Sequence, residues 1–331
     1  MMQVIIKVFL FIFGSVIGSF LNVCIFRLPR SGTLTLDAFK DIKVNNEKLW
    51  DELFKHKFID EEGVIQLKFK QLSHAHKLHL STEFKSQQTQ IYHILRQLCA
   101  LSINNPKRSF CPNCKKQIFW YDNIPLLSYL ILGAKCRECR QHIPFRYFMV
   151  ELITACVFVV LYIFFGFSAK FFIYTALTCA LIVSTFVDFD FQIIPDEITL
   201  GGLVIGLIVS FIFPQIHNVN THFSGLIQSG LGLLVGGGSI FLIGEFGKII
   251  FKKESMGGGD VKFLAMIGSI LGWQYALLIF FVAPFFGAVV GITMKLRKGV
   301  ETIPYGPYLS IAAFLVILWG KEFLRWFMHS S

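Results

Sequence analysis

The chain has 331 residues, 54% of them hydrophobic and only 16% charged, and Lys plus Arg exceed Asp plus Glu by ten. Soluble domains carry roughly a quarter charged residues, so a soluble enzyme or a basic nucleic-acid-binding domain does not describe the whole. The basic excess is local: residues 27–146 hold 20 Lys+Arg against 11 Asp+Glu, which is nine of the ten net charges.

Met2 to Phe26 is the first apolar run, broken only by Lys7. It is too long, and too poor in a small-residue cleavage site, for a removable signal peptide, and reads as a membrane span. The polar, basic stretch that follows ends near Arg146. Then come Phe148 to Phe167, Phe171 to Val187, Ile198 to Phe213, Phe223 to Phe246, Val261 to Leu271, Ala276 to Met294 and Tyr308 to Trp319. These predict an all-α polytopic membrane protein with about eight transmembrane helices. The organisation is a first helix over 1–28, a cytoplasmic loop domain over 29–147, and a multi-helix membrane domain over 148–331. The run of eleven residues from Val261 makes only about 16 Å of helix, so a broken or half-buried helix is expected there.

Orientation follows from the loops. Lys and Arg gather on the cytoplasmic side of membrane proteins, which places the basic segment inside. The loops that then fall inside hold Lys248, Lys252, Lys253, Lys262, Lys295, Arg297 and Lys298, whereas those outside hold Lys170 alone. Both termini are then expected outside, with Asp188 and Asp260 at the cytoplasmic boundary.

Within the basic segment, Cys111-Pro112-Asn113-Cys114 and Cys136-Arg137-Glu138-Cys139 are two CxxC turns with 21 residues between them. Two such turns present the four thiolates that tetrahedral zinc takes, and Lys115, Lys116, Lys135, Arg137 and Arg140 favour the ionised sulfurs. Two disulfides are the competing reading, disfavoured in the cytoplasm. With four cysteines and no open position, the metal braces the loop and performs no chemistry. Cys24, Cys99, Cys156 and Cys179 lack such spacing and read as buried small hydrophobes. His74, His76 and His79 lie in a Lys-rich polar stretch and read as a solvated face, while residues 31–108 carry no recognisable chemistry.

The informative residues of the membrane half are acidic. A carboxylate at the centre of a membrane helix costs roughly 3 kcal/mol on insertion scales, yet Asp188 ends one apolar run and Asp260 opens another. Asp188 and Asp190 are two apart and point about 200° apart on a helix, so at most one faces a given cleft. Pro195 begins the next helix, and Asp196 and Glu197 suit its positive end. Gly257, Gly258 and Gly259 before Asp260 let the backbone turn and a substrate approach; the competing reading is a flexible hairpin in which Asp260 pairs with Lys262. Two nearby carboxylates share one proton, so one activates water while the other protonates a carbonyl. No HExxH, GxSxG or Walker motif offers a rival hydrolytic set.

These residues, taken together, resemble the bacterial prepilin peptidases, the type IV leader peptidases of pilus and type II secretion systems. The likeness has four parts. Gly18-Ser19-Phe20-Leu21-Asn22 through Pro29 is similar to the family's N-terminal signature. The paired CxxC encloses Asp122-Asn123-Ile124-Pro125-Leu126-Leu127-Ser128-Tyr129-Leu130 and is followed by Ile143 to Tyr147 and Glu151. The Asp188-x-Asp190-(x4)-Pro195-Asp196 run and GxGDxK at Gly257 to Lys262 complete it. The resemblance implies an intramembrane aspartyl protease of the GxGD type with Asp188 and Asp260 as its catalytic pair. Asp188 is preferred over Asp190 because its spacing to Pro195 is shared by members that lack the second Asp. Implied partners are membrane lipid and the prepilin or pseudopilin substrates, cut after a glycine on the cytoplasmic side of the bacterial inner membrane. Members with the cysteine loop are bifunctional and N-methylate the new terminus with S-adenosylmethionine; no binding residues for that donor are evident. One departure bears on methylation: Ala134, beside Gly133, stands where members often have Gly. The alternatives are a peptidase without methyl transfer, a transporter using the acids as a proton relay, and a zinc-bearing scaffold.

Overall fold

The computed structural model of the chain describes residues 1–30, 109–111, 113–114, 116–251, 256–298 and 304–329. Cys99, the three histidines at 74, 76 and 79 and the stretch 31–108 lie outside these. By contacts the chain falls into two compact units, one made of 1–22, 121–136 and 141–331, the other of 23–120 and 137–140.

Apart from isolated bridges, the described residues are helical: α1 (Met2–Arg27), α2 (Leu127–Ile131), α3 (Phe145–Phe165), α4 (Ala169–Phe191), α5 (Asp196–Ile212), α6 (His222–Phe251), α7 (Gly258–Leu271), α8 (Trp273–Lys298) and α9 (Gly306–His329). Every span expected from the sequence has its helix. Six of them, α1, α3, α4, α6, α8 and α9, are long and apolar enough to cross a membrane, so the chain is a multi-pass membrane protein. The other two, α5 with 17 residues and α7 with 14, fall short of the ~20 residues that a hydrocarbon core requires. Phe9, Phe172, Phe241 and Phe285 are exposed on the outer faces of the long helices, as an apolar solvent permits.

α7 decides the architecture of this half. The two glycines before Asp260 join it, and Gly272, at φ 93°, ends it before Trp273 starts α8. All nine residues from Phe263 to Leu271 are buried, because the helix packs against α5, α6, α8 and α9. A helix apolar on every side belongs in such an interior. Its contact with α6 is backbone against backbone: a Cβ on Gly232 would stand 2.0 Å from the carbonyl oxygen of Gly268. Membrane helices associate through such close approach, since lipid supplies no hydrophobic drive between them. α1 and α3 use the same device at Gly18, where a Cβ would lie 2.7 Å from the Glu151 Cα.

The last turn of α7 leaves carbonyls without helical partners, and side chains from neighbouring elements supply donors. Ser210 and Ser229 hydroxyls both donate to the Ser269 carbonyl, at 3.2 and 2.6 Å. His217, in the 3-10 turn Pro214–His217, places Nε2 2.8 Å from the Ser210 hydroxyl. Burial, and then the charge of Lys170, push the His217 imidazole down from 6.5 to about 4, against a backbone hydrogen bond at Leu271. The folded protein therefore holds His217 neutral where the unfolded chain binds a proton. The stability this contributes is complete above pH 6.5 and is lost as pH falls toward 4. The thermal midpoint of the detergent-solubilised protein should drop between pH 6.5 and 4.5, and His217→Gln should flatten that part of the dependence.

Candidate active site

The last turn of α4 and the first turn of α7 lie beside the start of α9. Asp188 lies in the last turn of α4, which closes where Gln192 turns left-handed at φ 53° and donates its N–H to the Asp188 carbonyl at 2.9 Å. The Asp188 side chain is only 5% exposed. Its Oδ2 accepts the backbone N–H of Gly306 at 2.9 Å. A Cβ on Gly306 would stand 2.7 Å from that oxygen and 3.3 Å from Ile194 Cδ1, while one on Gly259 would stand 3.5 Å from Ile194 Cβ. Ile194 thus links the glycine beside Asp188 to the glycine beside Asp260. Asp260 is in the first turn of α7, its N–H donating to the Gly257 carbonyl at 3.1 Å. Its carboxylate interacts electrostatically with those of Asp188 and with the phenol of Tyr305.

The neighbouring charges are engaged elsewhere. Asp190, on the opposite side of α4 from Asp188, forms an ion pair with Arg146 of α3. Lys262 does not turn back to Asp260: its Nζ pairs with Asp196 Oδ1 at 2.8 Å, joining the first turns of α7 and α5. Such an exposed pair contributes under about 1 kcal/mol, but it removes the lysine nearest in sequence from the carboxylates. The hairpin reading of Asp260 with Lys262 is thereby overturned.

Residues quoted separately from the first half of the chain converge at Glu151. The Leu126 N–H donates to Glu151 Oε2 at 2.8 Å, and the Ser19 hydroxyl donates to the same carboxylate. One turn away, Asn22 Nδ2 donates to the Tyr147 carbonyl at 2.9 Å. Leu126 takes a positive φ of 61° to present its N–H. The N-terminal signature, the segment between the cysteine pairs and the start of α3 are therefore one hydrogen-bonded assembly.

The two CxxC turns are built alike. Phe110 bridges Gln117 and Lys135 bridges His142, each pair seven apart with the cysteines one and four residues in. The Cys111 N–H donates to the Lys116 carbonyl at 2.9 Å and the Cys136 N–H to the Gln141 carbonyl at 2.8 Å. The Sγ atoms of Cys111, Cys114, Cys136 and Cys139 lie within 4.8 Å of one another, and those of Cys111 and Cys139 are 3.8 Å apart. Tetrahedral coordination with metal–sulfur bonds of about 2.3 Å requires sulfurs about 3.8 Å apart, so the tetrad fits a metal ion. Of the other thiols, Cys24 is buried as expected, whereas Cys156 is exposed on α3; a cysteine on an outward face in lipid needs no burial in protein.

Tyr305 and Gly306 escaped the sequence reading. The available signal was Pro304-Tyr305-Gly306-Pro307, a glycine between two prolines at a helix start, but the sequence does not say that this start meets Asp188. The departure at Ala134 also has a physical content. Ala134 sits at φ 58°, left-handed backbone that disfavours any Cβ by roughly 1–2 kcal/mol. Ala134→Gly should raise the thermal midpoint, with a gain of about 1 kcal/mol in denaturant titration.

Fold and site define a class: a polytopic helical membrane protein with two interacting carboxylates from separate helices and a loop whose four cysteines could hold a metal ion. The chain belongs to the type IV leader peptidase family. The description Type IV leader peptidase family matches residues 175–292, and Bacterial Peptidase A24 N-terminal domain matches residues 12–165. It is 36% identical to the Prepilin leader peptidase/N-methyltransferase of Pseudomonas aeruginosa over 67% of this chain and 74% of that protein. The protein of the same name from Aeromonas hydrophila is 30% identical over 96% of this chain and 92% of its own length. That of Legionella pneumophila is 32% identical over 75% and 85%. No solved structure matches the chain significantly.

If the tetrad holds a metal, Cys111→Ser with Cys114→Ser should release it. Mass-spectrometric metal analysis of purified protein should fall from about one ion per chain to near zero; unchanged content would rule the tetrad out.

Proposed function

We propose that this protein is a prepilin peptidase of the bacterial inner membrane that cleaves the leader from prepilins or pseudopilins with Asp188 and Asp260, and then N-methylates the new terminus. The observation that carries the peptidase reading is the meeting of Asp188 and Asp260 from distant helices, with Asp190 and Lys262 each drawn off by another partner. The names of the relatives supply the substrate class and the methyl transfer. The transporter reading is not favoured, because the two acids gather at one site and are not strung along the depth of the bundle.

Two carboxylates that repel each other in a low-dielectric site do not readily both ionise, so on this proposal they hold one proton between them. The ionised member takes a proton from water as the hydroxyl adds to the scissile carbonyl carbon, and the protonated member gives its proton to the carbonyl oxygen. The tetrahedral intermediate then collapses. Its C–N bond breaks as the amine receives a proton from the carboxyl that took one from water, and the shared proton returns to the pair. No metal takes part in these steps.

The loop carries its own proposal. Four thiolates fit structural zinc, held by Cys111, Cys114, Cys136 and Cys139, with 29–147 as the loop domain and 148–331 as the membrane domain. Methyl transfer draws on S-adenosylmethionine, which when bound supplies an electrophilic methyl group to the freed amine; its support is the relatives' names and the intact tetrad.

Asp188→Asn and Asp260→Asn should each lower cleavage of a prepilin reporter in vesicles at least about 100-fold without loss of membrane insertion. Full cleavage by either variant would overturn the pair. Mass spectrometry of pilin processed by the unmodified protein should show an N-terminal mass raised by one methyl group. An unmethylated product in the presence of S-adenosylmethionine would leave the peptidase alone.

A further inference from the structure

The start of α9 lies beyond both matched stretches, 12–165 and 175–292, yet its backbone bonds one of the two carboxylates directly. The Gly306 N–H is directed at Asp188 Oδ2 at 2.9 Å, within the buried interior. Backbone N–H groups in the first turn of a helix have no helical acceptor and carry the positive end of its dipole, and here one of them is given to a side chain 118 residues away in sequence. Only glycine allows this approach, since the nearest possible Cβ position is 2.7 Å from the oxygen it must bond. The adjoining Tyr305 stands on the Asp260 side. Burial, and then the Asp260 charge, push its phenol up to about 12, so it keeps its proton and remains a donor.

We infer that Gly306 is a positioning residue for the reaction: its backbone N–H, given from the start of α9, holds the Asp188 carboxylate in place and favours its ionised form. An oxygen that already accepts an N–H bond is a poor seat for the shared proton, because hydrogen bonds to the charged form favour that form. Asp260 has a backbone partner too, Gly257, but that one comes from its own turn three residues before it, whereas Gly306 reaches Asp188 from another helix. The same contact holds the Asp188 carboxylate in one rotamer, which positions the attacking water before substrate arrives.

The inference rests on the aspartyl-pair reading and is tested separately from it. Two variants made by cell-free synthesis into nanodiscs remove the contact in different ways. Replacing Gly306 by glycolic acid turns the 305–306 amide into an ester, deleting the N–H without adding an atom that could clash. Gly306→Ala keeps the N–H and displaces the carboxylate. Each should lower kcat for prepilin cleavage by about 10- to 100-fold, the weight of one hydrogen bond to a charged group, with KM changed by less than about 2-fold. In the ester the acid limb of the kcat/KM profile should also move to higher pH, which a merely structural role would not produce. An ester variant with unaltered kcat and an unmoved acid limb overturns the inference, even if Gly306→Ala is inactive through misfolding. Asp188→Asn serves as the reference: activity in that variant sinks the aspartyl pair itself, whereas its inactivity beside a fully active ester sinks only the role of Gly306.

Discussion

A helix of 14 residues is enclosed on all sides in the membrane half, and the rest of that half is arranged around it. α7 cannot cross a bilayer, so it is supported by neighbours along its whole length, and they must come close. The backbone-to-backbone contact of Gly232 with Gly268 brings α6 against it. The donors from Ser210 and Ser229 close its far end at Ser269. Because its far end is fixed, its near end, with Gly258, Gly259 and Asp260, is fixed as well. A short helix thereby brings a carboxylate to a set place inside an apolar bundle, where a long one would carry its end out toward the headgroups.

Placing charge there has a cost, and the surroundings answer it selectively. Asp190 and Asp196 are each given a cation, Arg146 and Lys262. Among the described residues, Asp188 and Asp260 are given no cation: Asp188 has the Gly306 N–H, and Asp260 the Gly257 backbone with the company of Asp188 and Tyr305. A fully paired carboxylate would be a stable structural element and a weak base or acid. Under the proposed mechanism, withholding the cations keeps the proton of the pair available for chemistry.

The first half of the chain shows the same economy of parts. Ser19, Asn22, Leu126, Tyr147 and Glu151 come from three sequence segments and form one hydrogen-bonded assembly. The two cysteine turns repeat one pattern of bridge and backbone bond, so that a single local fold, used twice, supplies all four sulfurs.

The sequence by itself determined the class of fold, the places of the membrane helices, the cysteine tetrad and the two aspartates worth singling out. Each of these is a local signal: apolar length, a fixed CxxC spacing, an ionisable residue in a run that should exclude it. It also foretold that the segment after Val261 is too short to cross alone. Tertiary structure alone decided which charges pair. The spacing of Asp188 and Asp190 shows that they point apart, but that Arg146 takes Asp190 and Gly306 takes Asp188 depends on how α3 and α9 pack on α4. Lys262 was readable as a partner of Asp260, two residues away, until the juxtaposition of α5 and α7 supplied Asp196. Gly306 had no signature of its own, because what makes it matter is the missing Cβ beside a carboxylate 118 residues distant. Periodicity and spacing act along the chain, whereas close approach and charge pairing act through space, and only the folded chain sets those distances.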